Sequence, residues 1–589
     1  MPAPPDPFIL ALTPEATALA KQVKGRIGGE VSLPKDGVPD LLREAFLAGR
    51  PIVGICAAGI LIRSLTPVIA SKWAEPPVVA VADDGASVVP LLGGHHGANA
   101  LARDIADLLN GHAAVPTAGD LRLGVALDAP PDGWVLENPL DAKAATAALL
   151  AGASAALSGH APWLQTLAAT QTPTEGSAAV LSVDGAPPLV YRRRSLVLGL
   201  GASRGADPDA ALGLVQKALA DAGYAPGEVA AVASVDLKSD EAAIHHVAEA
   251  LGVEARFFPA DRLEAETPRL SDPSSVVFAE IGCHGVAEAA ALVAAGPDAV
   301  LAIPKQKSKT ATVAAAVLGP TPETGVAAGH LSVVGIGPGT PSWRTPEASR
   351  LIAEADDLVG YSLYLDLLGP LAKGKTRHDF PLGEETDRCR HALVLAASGR
   401  RVALICSGDG GIYAMGALVM ELLDTGDLPP AARRVGLTMA PGISALQAAS
   451  ARTGALLGHD FCAISLSDLL TPRDAILKRL KAAAEGDFVI ALYNPVSRRR
   501  RTLLAEARDI LLAHRPEDTP VILAQNLGRP EEMITHRTLK ALSVDEVDML
   551  TTVLIGASSS RAFRRGDIRG GAGGIWAYTP RGYDKKGTL

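Results

Sequence analysis

The chain has 589 residues, of which 48% are hydrophobic and 20% are charged, and its formal net charge is −9. This length exceeds what one hydrophobic core supports, so we expect three or four domains. The negative charge argues against a general nucleic-acid binder, which would need a broad basic surface, but it does not exclude local basic patches.

The five cysteines include no CxxC pair, a distribution typical neither of a disulfide framework nor of a zinc site. The opening segment MPAPPDPFILALTPEA lacks the basic region of a signal peptide, and no uncharged apolar stretch reaches the length of a membrane span. We therefore expect a cytoplasmic protein that binds neither a metal ion nor a membrane.

Short apolar runs alternate with loops and Ala-rich helical segments, a pattern that predicts α/β domains with parallel sheets. An early example is the strand Ile52–Ile55, and Asp83-Asp84-Gly85 predicts a hairpin between two apolar runs. The turn Gly93–Gly97 then opens a helix. It contains His95 and His96, whose adjacent side chains diverge too much to hold one metal ion. Both a catalytic or substrate-contacting role and ordinary loop polarity stay open for them.

A second piece, residues 195–318, restarts a strand, a Gly-containing loop and a helix at Leu196. Its basic stretch Lys305–Lys309 suits carboxylates or phosphates. Cys283 stands beside His284, but neighbouring residues rarely form a nucleophilic pair. Residues 319–329, GPTPETGVAAG, then predict a linker because they combine two prolines with small residues.

Beyond the linker, Thr345-Pro346-Glu347 predicts a helix start, with Thr as N-cap and an acid in the first turn. Gly-rich turns at Gly335–Gly339, Ser407–Gly411 and Pro441–Ser444 follow strands, where the backbone approaches small ligands closely. The predicted strands are Leu331–Gly335, Arg401–Cys406, Val435–Ala440, Phe461–Leu466, Phe488–Tyr493, Val521–Gln525 and Leu550–Ile555.

A nucleotide-binding dehydrogenase is the alternative for these turns. Such a site needs GxGxxG and an acid about 20 residues further on, after the second strand. Here the loop reads GIGPGT, and Asp356 and Asp357 precede the apolar Leu358-Val359 instead of following it. The sequence therefore disfavours a dinucleotide site.

Taken together, residues 330–560 resemble the tetrapyrrole methylases, and within them the precorrin-3B C(17)-methyltransferases. The resemblance is carried by segments that include LSVVGIGPGT, RVALICSGDGGIYAMGALVMELL, GHDFCAISLSDLLTP and DFVIALYNPVSRRR. It implies a two-domain α/β methylase fold, S-adenosylmethionine as cofactor, and a homodimer formed through this half.

The same resemblance implies a set of cofactor contacts. Glycines would bring the backbone close to the ligand, and Ile412 would pack on the adenine. Asp409 would bind a ribose hydroxyl or the methionine amino group, with turn stabilisation as its alternative role. The implied cofactor-binding residues are Gly337, Pro338, Gly408, Asp409, Ile412, Tyr413, Ser444, Ala445, Leu466, Tyr493, Asn494 and Thr552.

The implied substrate is precorrin-3B or cobalt-precorrin-3, which has an electron-rich ring carbon and many carboxylate side chains. Methyl transfer then depends mainly on placing that carbon in line with the sulfonium in a water-poor cleft. Arginines at the rim would hold the carboxylates. The candidates are Arg498, Arg499, Arg500 and Arg501, with an ordinary solvated helix start as the alternative.

Residues 1–318 resemble the CbiG family, the cobalt-precorrin-5A hydrolases of cobalamin synthesis. Gly93–Asn99, Val235–Lys238 and Gly285–Ala289 carry this resemblance, whereas residues 120–190 match loosely. It implies that a lactone is opened and acetaldehyde released. A module that binds or hands over a precorrin without chemistry is the alternative, since no triad or metal set is visible. The implied catalytic residues are His95, His96, Asn99, Lys238 and Glu288.

These observations predict a multidomain α/β chain. The predicted parts are a CbiG-like N-terminal domain at 1–119, a middle region at 120–190, a CobE-like domain at 191–318, the linker at 319–329, the methylase at 330–570 and a tail at 571–589.

Overall fold

The computed structural model describes residues 6–34, 37–69, 75–115, 122–172, 178–426, 428–497, 501–565 and 574–582, except for the side chain of His95. The chain divides into two compact units. The first unit extends to Leu331 and includes the short segments 393–402 and 427–436, and the second contains the remaining residues. The mixed α/β, multidomain class predicted from the sequence is confirmed.

Unit 1 begins with a six-stranded sheet covered by helices. In spatial order its strands are Glu30–Ser32, Phe8–Ala11, Ile52–Ile55, Val78–Val81, Ser87–Leu92 and His112–Ala113. The helices are Pro14–Ile27, Val38–Leu47, Ala58–Leu65 and Ala98–Leu109. Ile9 and Leu10 belong to different cores, as expected of a strand buried on both faces. The predicted hairpin at Asp83–Gly85 is confirmed, because the strands on either side of it pair antiparallel.

The middle region is a domain with a core of its own. In spatial order its strands are Trp134–Leu136, Leu189–Arg193, Ala178–Val183, Ala155–Ser158 and Thr170–Thr172, and its helix is Ala142–Leu150. The fully buried Tyr191 donates its hydroxyl to the carbonyl of Leu127 at 2.7 Å. Small residues supply much of this core, which explains the weak hydrophobic pattern of the sequence.

The third domain of unit 1 is another six-stranded sheet. In spatial order its strands are Leu301–Lys307, Ala311–Val317, Leu196–Ala202, Val229–Val235, Ala255–Phe258 and Val326–Ala327. The helices are Pro208–Asp221, Ala242–Ala250, Ala260–Glu264, Ser275–Ile281 and Val286–Ala295. Val326–Ala327 lies inside the stretch predicted as a linker, and it pairs antiparallel with Arg256 and Phe257. Part of that stretch is therefore the edge strand of this domain.

Unit 2 contains two five-stranded sheets and a three-stranded one. In spatial order, the strands of the first sheet are Thr376–Phe380, Asp357–Tyr361, Arg401–Cys406, His330–Gly335 and Gly436–Ala440. Those of the second sheet are Phe461–Ser465, Val489–Tyr493, Thr551–Ile555, Pro520–Gln525 and Met533–Thr538. The three-stranded sheet consists of Gly454–Ala455, Ile575–Tyr578 and Arg561–Arg564. The helices are Pro346–Glu354, Ser362–Asp366, Glu385–Ala397, Gly416–Thr425, Ala445–Thr453, Arg473–Glu485 and Thr502–Leu512.

Each strand predicted for this half is present within one residue of its predicted bounds. The predicted helix start is also confirmed, since the Thr345 hydroxyl accepts a hydrogen bond from the backbone N–H of Ala348 at 3.1 Å. The predicted tail needs correction. Its residues Ile575–Tyr578 form a strand that pairs with Arg561–Arg564, and Ala577 is fully buried in the core.

Among the residues that the structure describes, no single helix has the length and apolar composition to cross a membrane. The bent pair Ser275–Ile281 and Val286–Ala295 meets those two criteria when both helices are taken together.

Candidate functional site

The three Gly-rich turns of unit 2 follow adjacent strands of one sheet and contact one another. Gly337 and Gly408 exchange backbone hydrogen bonds of 3.1 and 2.9 Å. Both have left-handed backbone conformations, with φ of 75° and 70°, which glycine adopts without a steric penalty. A Cβ on Gly442 would lie 2.0 Å from the carbonyl oxygen of Gly408. The contact between these turns therefore requires the absence of side chains.

Asp409 joins two of these turns. Its Oδ1 accepts a hydrogen bond from the N–H of Gly411 at 2.8 Å, and its Oδ2 accepts one from the N–H of Gly442 at 3.0 Å. The turn-stabilising role proposed as an alternative for Asp409 is thus observed. The carboxylate also lines a cavity, so the proposed cofactor contact is compatible with it and stays a prediction.

Tyr493 connects the second sheet of unit 2 to the third turn. Its hydroxyl lies 2.5 Å from Ser444 Oγ and accepts a hydrogen bond from the N–H of Leu446 at 3.0 Å. Burial raises the pKa of Tyr493 above its ordinary value, although the hydrogen bond with Ser444 acts in the opposite direction. The phenol therefore stays protonated at neutral pH, and it fixes the start of the helix Ala445–Thr453.

These residues enclose a cavity of about 200 Å³. Most of the residues implied as cofactor contacts line it, together with several that the resemblance did not indicate. The implied residues in the lining are Pro338, Gly408, Asp409, Ile412, Tyr413, Ser444, Ala445, Tyr493, Asn494 and Thr552. Gly337 lies outside the lining and supports the turn, and Leu466 is buried in the core next to it. The structure thus gathers ten of the twelve predicted positions around one space.

Arg529 is the main cavity residue that sequence reasoning missed. Its side chain packs so close to Gly339 that a Cβ there would lie 2.7 Å from Arg529 Cγ. Its buried Nε–H has no hydrogen-bond partner among the described residues. Tyr364 stands on the same wall, and burial raises its pKa while the charge of Arg529 lowers it. The signal in the sequence was the run Asn526-Leu527-Gly528 directly after the predicted strand Val521–Gln525, since Asn and Gly are typical turn residues. Both have positive φ in the structure.

The predicted arginine run is described in part. Arg498, Arg499 and Arg500 lie outside the described residues. Arg501 is half-exposed, and its guanidinium pairs with Asp545 at 2.9 Å. It is not among the residues that line the cavity, so the role of this run as a carboxylate site stays a prediction.

In unit 1, the predicted histidine loop leads into the helix Ala98–Leu109. Gly93 has a φ of 71°, and a Cβ on it would lie 2.3 Å from the carbonyl oxygen of Pro76. Both observations explain why this position is occupied by glycine. The side chain of His96 is exposed, whereas Asn99 is buried in the first turn of the helix. The side chain of His95 lies outside the described residues, so the catalytic roles proposed here stay predictions.

The other two predicted residues of unit 1 lie at a cleft of about 810 Å³ in the third domain. Lys238 lines this cleft. Glu288 is buried beside it and is not in the lining. Its carboxylate accepts hydrogen bonds from the N–H groups of Ser271 and Lys305, both at 2.8 Å, and from the Ser271 hydroxyl. Glu288 therefore holds two walls of the cleft together.

The possible Cys283–His284 pair is not formed. Cys283 is fully buried, and burial raises its pKa. His284 Nδ1 instead lies 2.9 Å from Glu264 Oε1, and its ring stacks on Phe278 with 4.5 Å between centroids. Since the acid is 20 residues upstream, spacing alone did not reveal this partner. Within the described ranges, no group of three or more His, Cys, Asp and Glu side chains is arranged to hold a metal ion.

Comparison with known proteins finds three family matches, each to a separate stretch of the chain. Residues 330–543 match the family described as Tetrapyrrole (Corrin/Porphyrin) Methylases. Residues 40–120 match "Cobalamin synthesis G N-terminal" and residues 196–316 match "Cobalamin synthesis G C-terminus".

Individual relatives match the second half. The chain is 43% identical to a precorrin-3B C(17)-methyltransferase of Sinorhizobium sp, over 43% of this chain and 97% of that protein. It is 40% identical to a cobalt-factor III methyltransferase of Priestia megaterium, over 44% of this chain and 46% of that protein. The solved structure titled "Crystal structure of the methyltransferase CobJ" is 39% identical, over 43% of this chain and all of that one, with a TM-score of 0.39.

The second half thus has the sequence of a tetrapyrrole methyltransferase. The chain belongs to the tetrapyrrole methylase family and carries, ahead of the methylase, both domains of the cobalamin synthesis G family.

Proposed function

We propose that unit 2 binds S-adenosylmethionine in the 200 Å³ cavity and methylates precorrin-3B at carbon 17, with ring contraction. The observation that carries this proposal is the cradle of three glycine turns fixed by Asp409. The name of the Sinorhizobium relative, matched over nearly its whole length, supports the choice of reaction.

The cavity residues fit this cofactor. Gly408 lines the cavity without a side chain, so a ligand can approach the backbone of its turn. Ile412 and Leu527 offer apolar surface for an adenine, and Asp409 and Thr552 offer polar atoms for hydroxyl and amino groups. When bound, S-adenosylmethionine supplies an electrophilic methyl group.

The residues of the chain position the reactants rather than form bonds with them. Tyr493 and Ser444 hold the helix start against the turns. Arg529 places a cation on the cavity wall, where it suits a substrate carboxylate. Rate enhancement then comes mainly from orientation of the nucleophilic ring carbon.

Relatives named for both precorrin-3B and cobalt-factor III are similar to this chain. Parallel assays with the two tetrapyrroles under anaerobic conditions, with methyl incorporation as the readout, separate the two substrates. We expect precorrin-3B to be methylated. Methylation of cobalt-factor III alone would contradict that choice, and methylation of neither would contradict the proposed function.

For unit 1 we propose the hydrolysis of cobalt-precorrin-5A, in which a lactone is opened and acetaldehyde is released. Its two cobalamin synthesis G domains support this proposal, as does the large cleft next to Lys238. Trapping of acetaldehyde after incubation with cobalt-precorrin-5A tests it. Tight binding of the substrate without acetaldehyde would indicate a binding or hand-over module instead.

A further inference from the structure

We propose that the cleft of the third domain is a binding site for the carboxylates of a tetrapyrrole, held by cations from three separate segments. These segments contribute Arg204, Lys238 and the hairpin residues Lys305, Lys307 and Lys309. The inference deepens the hydrolase function proposed for unit 1 and rests on it for the class of substrate.

The cleft lies where ligands bind in open α/β sheets. The parallel strands Leu196–Ala202 and Val229–Val235 both end at it, and the first turn of the helix Val286–Ala295 forms part of its wall. A Cβ on Gly201 would lie 2.6 Å from Thr312 Oγ1, so glycine keeps this strand end close to the hairpin. The volume of about 810 Å³ is that of a site for a complete small molecule.

The charge of the lining is opposite to that of the whole chain. Five lysine and arginine side chains face the cleft, against the two carboxylates of Asp272 and Glu280. The chain has a net charge of −9, so this concentration of positive charge is local. An excess of positive charge in a cleft raises the local concentration of anionic ligands.

Two of the cations are fixed in ion pairs and three are not, although the charge of Lys307 also acts on Asp272. Lys305 Nζ pairs with Asp272 at 2.5 Å, and Arg204 pairs with Asp240 at 2.5 Å. Among the described residues, no acid forms an ion pair with Lys238, Lys307 or Lys309. The fixed pairs shape the walls, and the three remaining ammonium groups can bind added anions.

The distribution of these groups favours several separate carboxylates over one phosphate. A phosphate site gathers consecutive backbone N–H groups in one loop, whereas here the cations come from three segments. Ser203, Ser274 and Thr310 also line the cleft, and their hydroxyls offer further donors. A flat polycarboxylate such as a tetrapyrrole matches this spread of donors.

The test uses the full chain and uroporphyrin, a tetrapyrrole with a carboxylate on every side chain, as the probe. Binding is followed by fluorescence quenching, with and without added S-adenosylmethionine. The variant Lys307→Gln/Lys309→Gln removes two charges and keeps polar side chains, each one bond shorter than lysine. Lys217→Gln/Arg256→Gln removes two cations of the same domain that do not line the cleft. Lys307→Arg/Lys309→Arg restores the charge.

We expect the first variant to lose one class of uroporphyrin sites, with affinity reduced roughly tenfold or more, and to show weaker salt dependence. The matched control and the arginine variant should bind as the wild type does, and methyl transfer should be unchanged in all of them.

Equal affinity in the first variant and the wild type would overturn the proposal. Displacement of uroporphyrin by inorganic phosphate at comparable concentration would overturn the choice of carboxylate. If binding behaves as expected but no acetaldehyde is released from cobalt-precorrin-5A, the hydrolase function fails and the binding site stands.

Discussion

The carboxylate of Asp409 accepts a hydrogen bond from the backbone N–H of Gly442, 33 residues further along the chain, at 3.0 Å. A second hydrogen bond, from Gly411, occupies its other oxygen. Hydrogen bonds to a charged group contribute about 1.5–3 kcal/mol each when shielded from water. We therefore expect Asp409→Ala to weaken S-adenosylmethionine binding at least roughly tenfold, measured by calorimetry, and to lower the thermal midpoint of unit 2. Asp409→Asn, which keeps one acceptor oxygen, should lie between. Wild-type affinity in the alanine variant would remove Asp409 from the site.

Gly442→Ala tests the contact between the turns. The added Cβ would lie 2.0 Å from the carbonyl oxygen of Gly408, so the backbone must move. We expect cofactor binding to be lost while the circular dichroism spectrum changes little. Gly213→Ala is a suitable control, because a Cβ there meets nothing within 4 Å and the position is inside the helix Pro208–Asp221. That change should leave the affinity unaltered and raise stability by about 0.5–1 kcal/mol. Normal cofactor affinity in Gly442→Ala would show that the turns need not touch.

Arg529 and Arg501 allow the two possible carboxylate sites of the methylase to be compared. The Nε–H of Arg529 is buried without a partner in the described part of the chain, whereas Arg501 is paired with Asp545. We expect Arg529→Gln to raise the KM for the tetrapyrrole roughly tenfold to a hundredfold with little change in cofactor affinity. Arg501→Gln should change neither. Weaker cofactor binding at an unaltered KM in Arg529→Gln would assign this arginine to the cofactor instead.

We expect unit 2 to lose stability in mild acid because it contains the partly buried His536. Burial lowers its pKa below the ordinary value of 6.5, so the folded protein disfavours the charged ring. Burial and the nearby His378 lower the pKa of His391 in the same direction. The unfolded chain takes up these protons as the pH falls below 6.5, and stability is lost from there downward. The thermal midpoint of unit 2 should therefore fall between about pH 7 and pH 5.5, and less so in His536→Leu. An exposed residue, His514, provides the control variant His514→Gln. An equal fall in all three proteins would exclude His536 as a cause.

The strands that sequence reasoning found are those with a clear apolar run, such as Arg401–Cys406. Thr376–Phe380 and Met533–Thr538 were missed, and both are edge strands of their sheets. An edge strand has a neighbouring strand on one side only, so its polar side chains are tolerated more easily than in a central strand. Ile575–Tyr578 was assigned to a tail although its four side chains are apolar or aromatic, and its pairing with Arg561–Arg564 is visible only in the fold.

The sequence predicted those residues of the candidate site whose role depends only on their own segment. A turn after a strand often requires glycine for a left-handed backbone conformation, and this requirement is visible in the segment alone. Gly408 is an example. The pairing of Asp409 with Gly442, or of His284 with Glu264, depends on segments that only the tertiary fold brings together. Asp357, whose position argued against a dinucleotide site, is buried and bonded to His378 at 2.9 Å. Its role is thus structural.

The most direct test of the central claim is methyl transfer by the full chain. Precorrin-3B is incubated with S-adenosylmethionine that carries a carbon-13 methyl group, and the product is analysed by mass spectrometry and carbon-13 NMR. We predict one labelled methyl group, bonded to carbon 17 of a contracted ring, and its loss in Gly442→Ala. A product without the label, or with the label on another ring carbon, would contradict the assignment of this site.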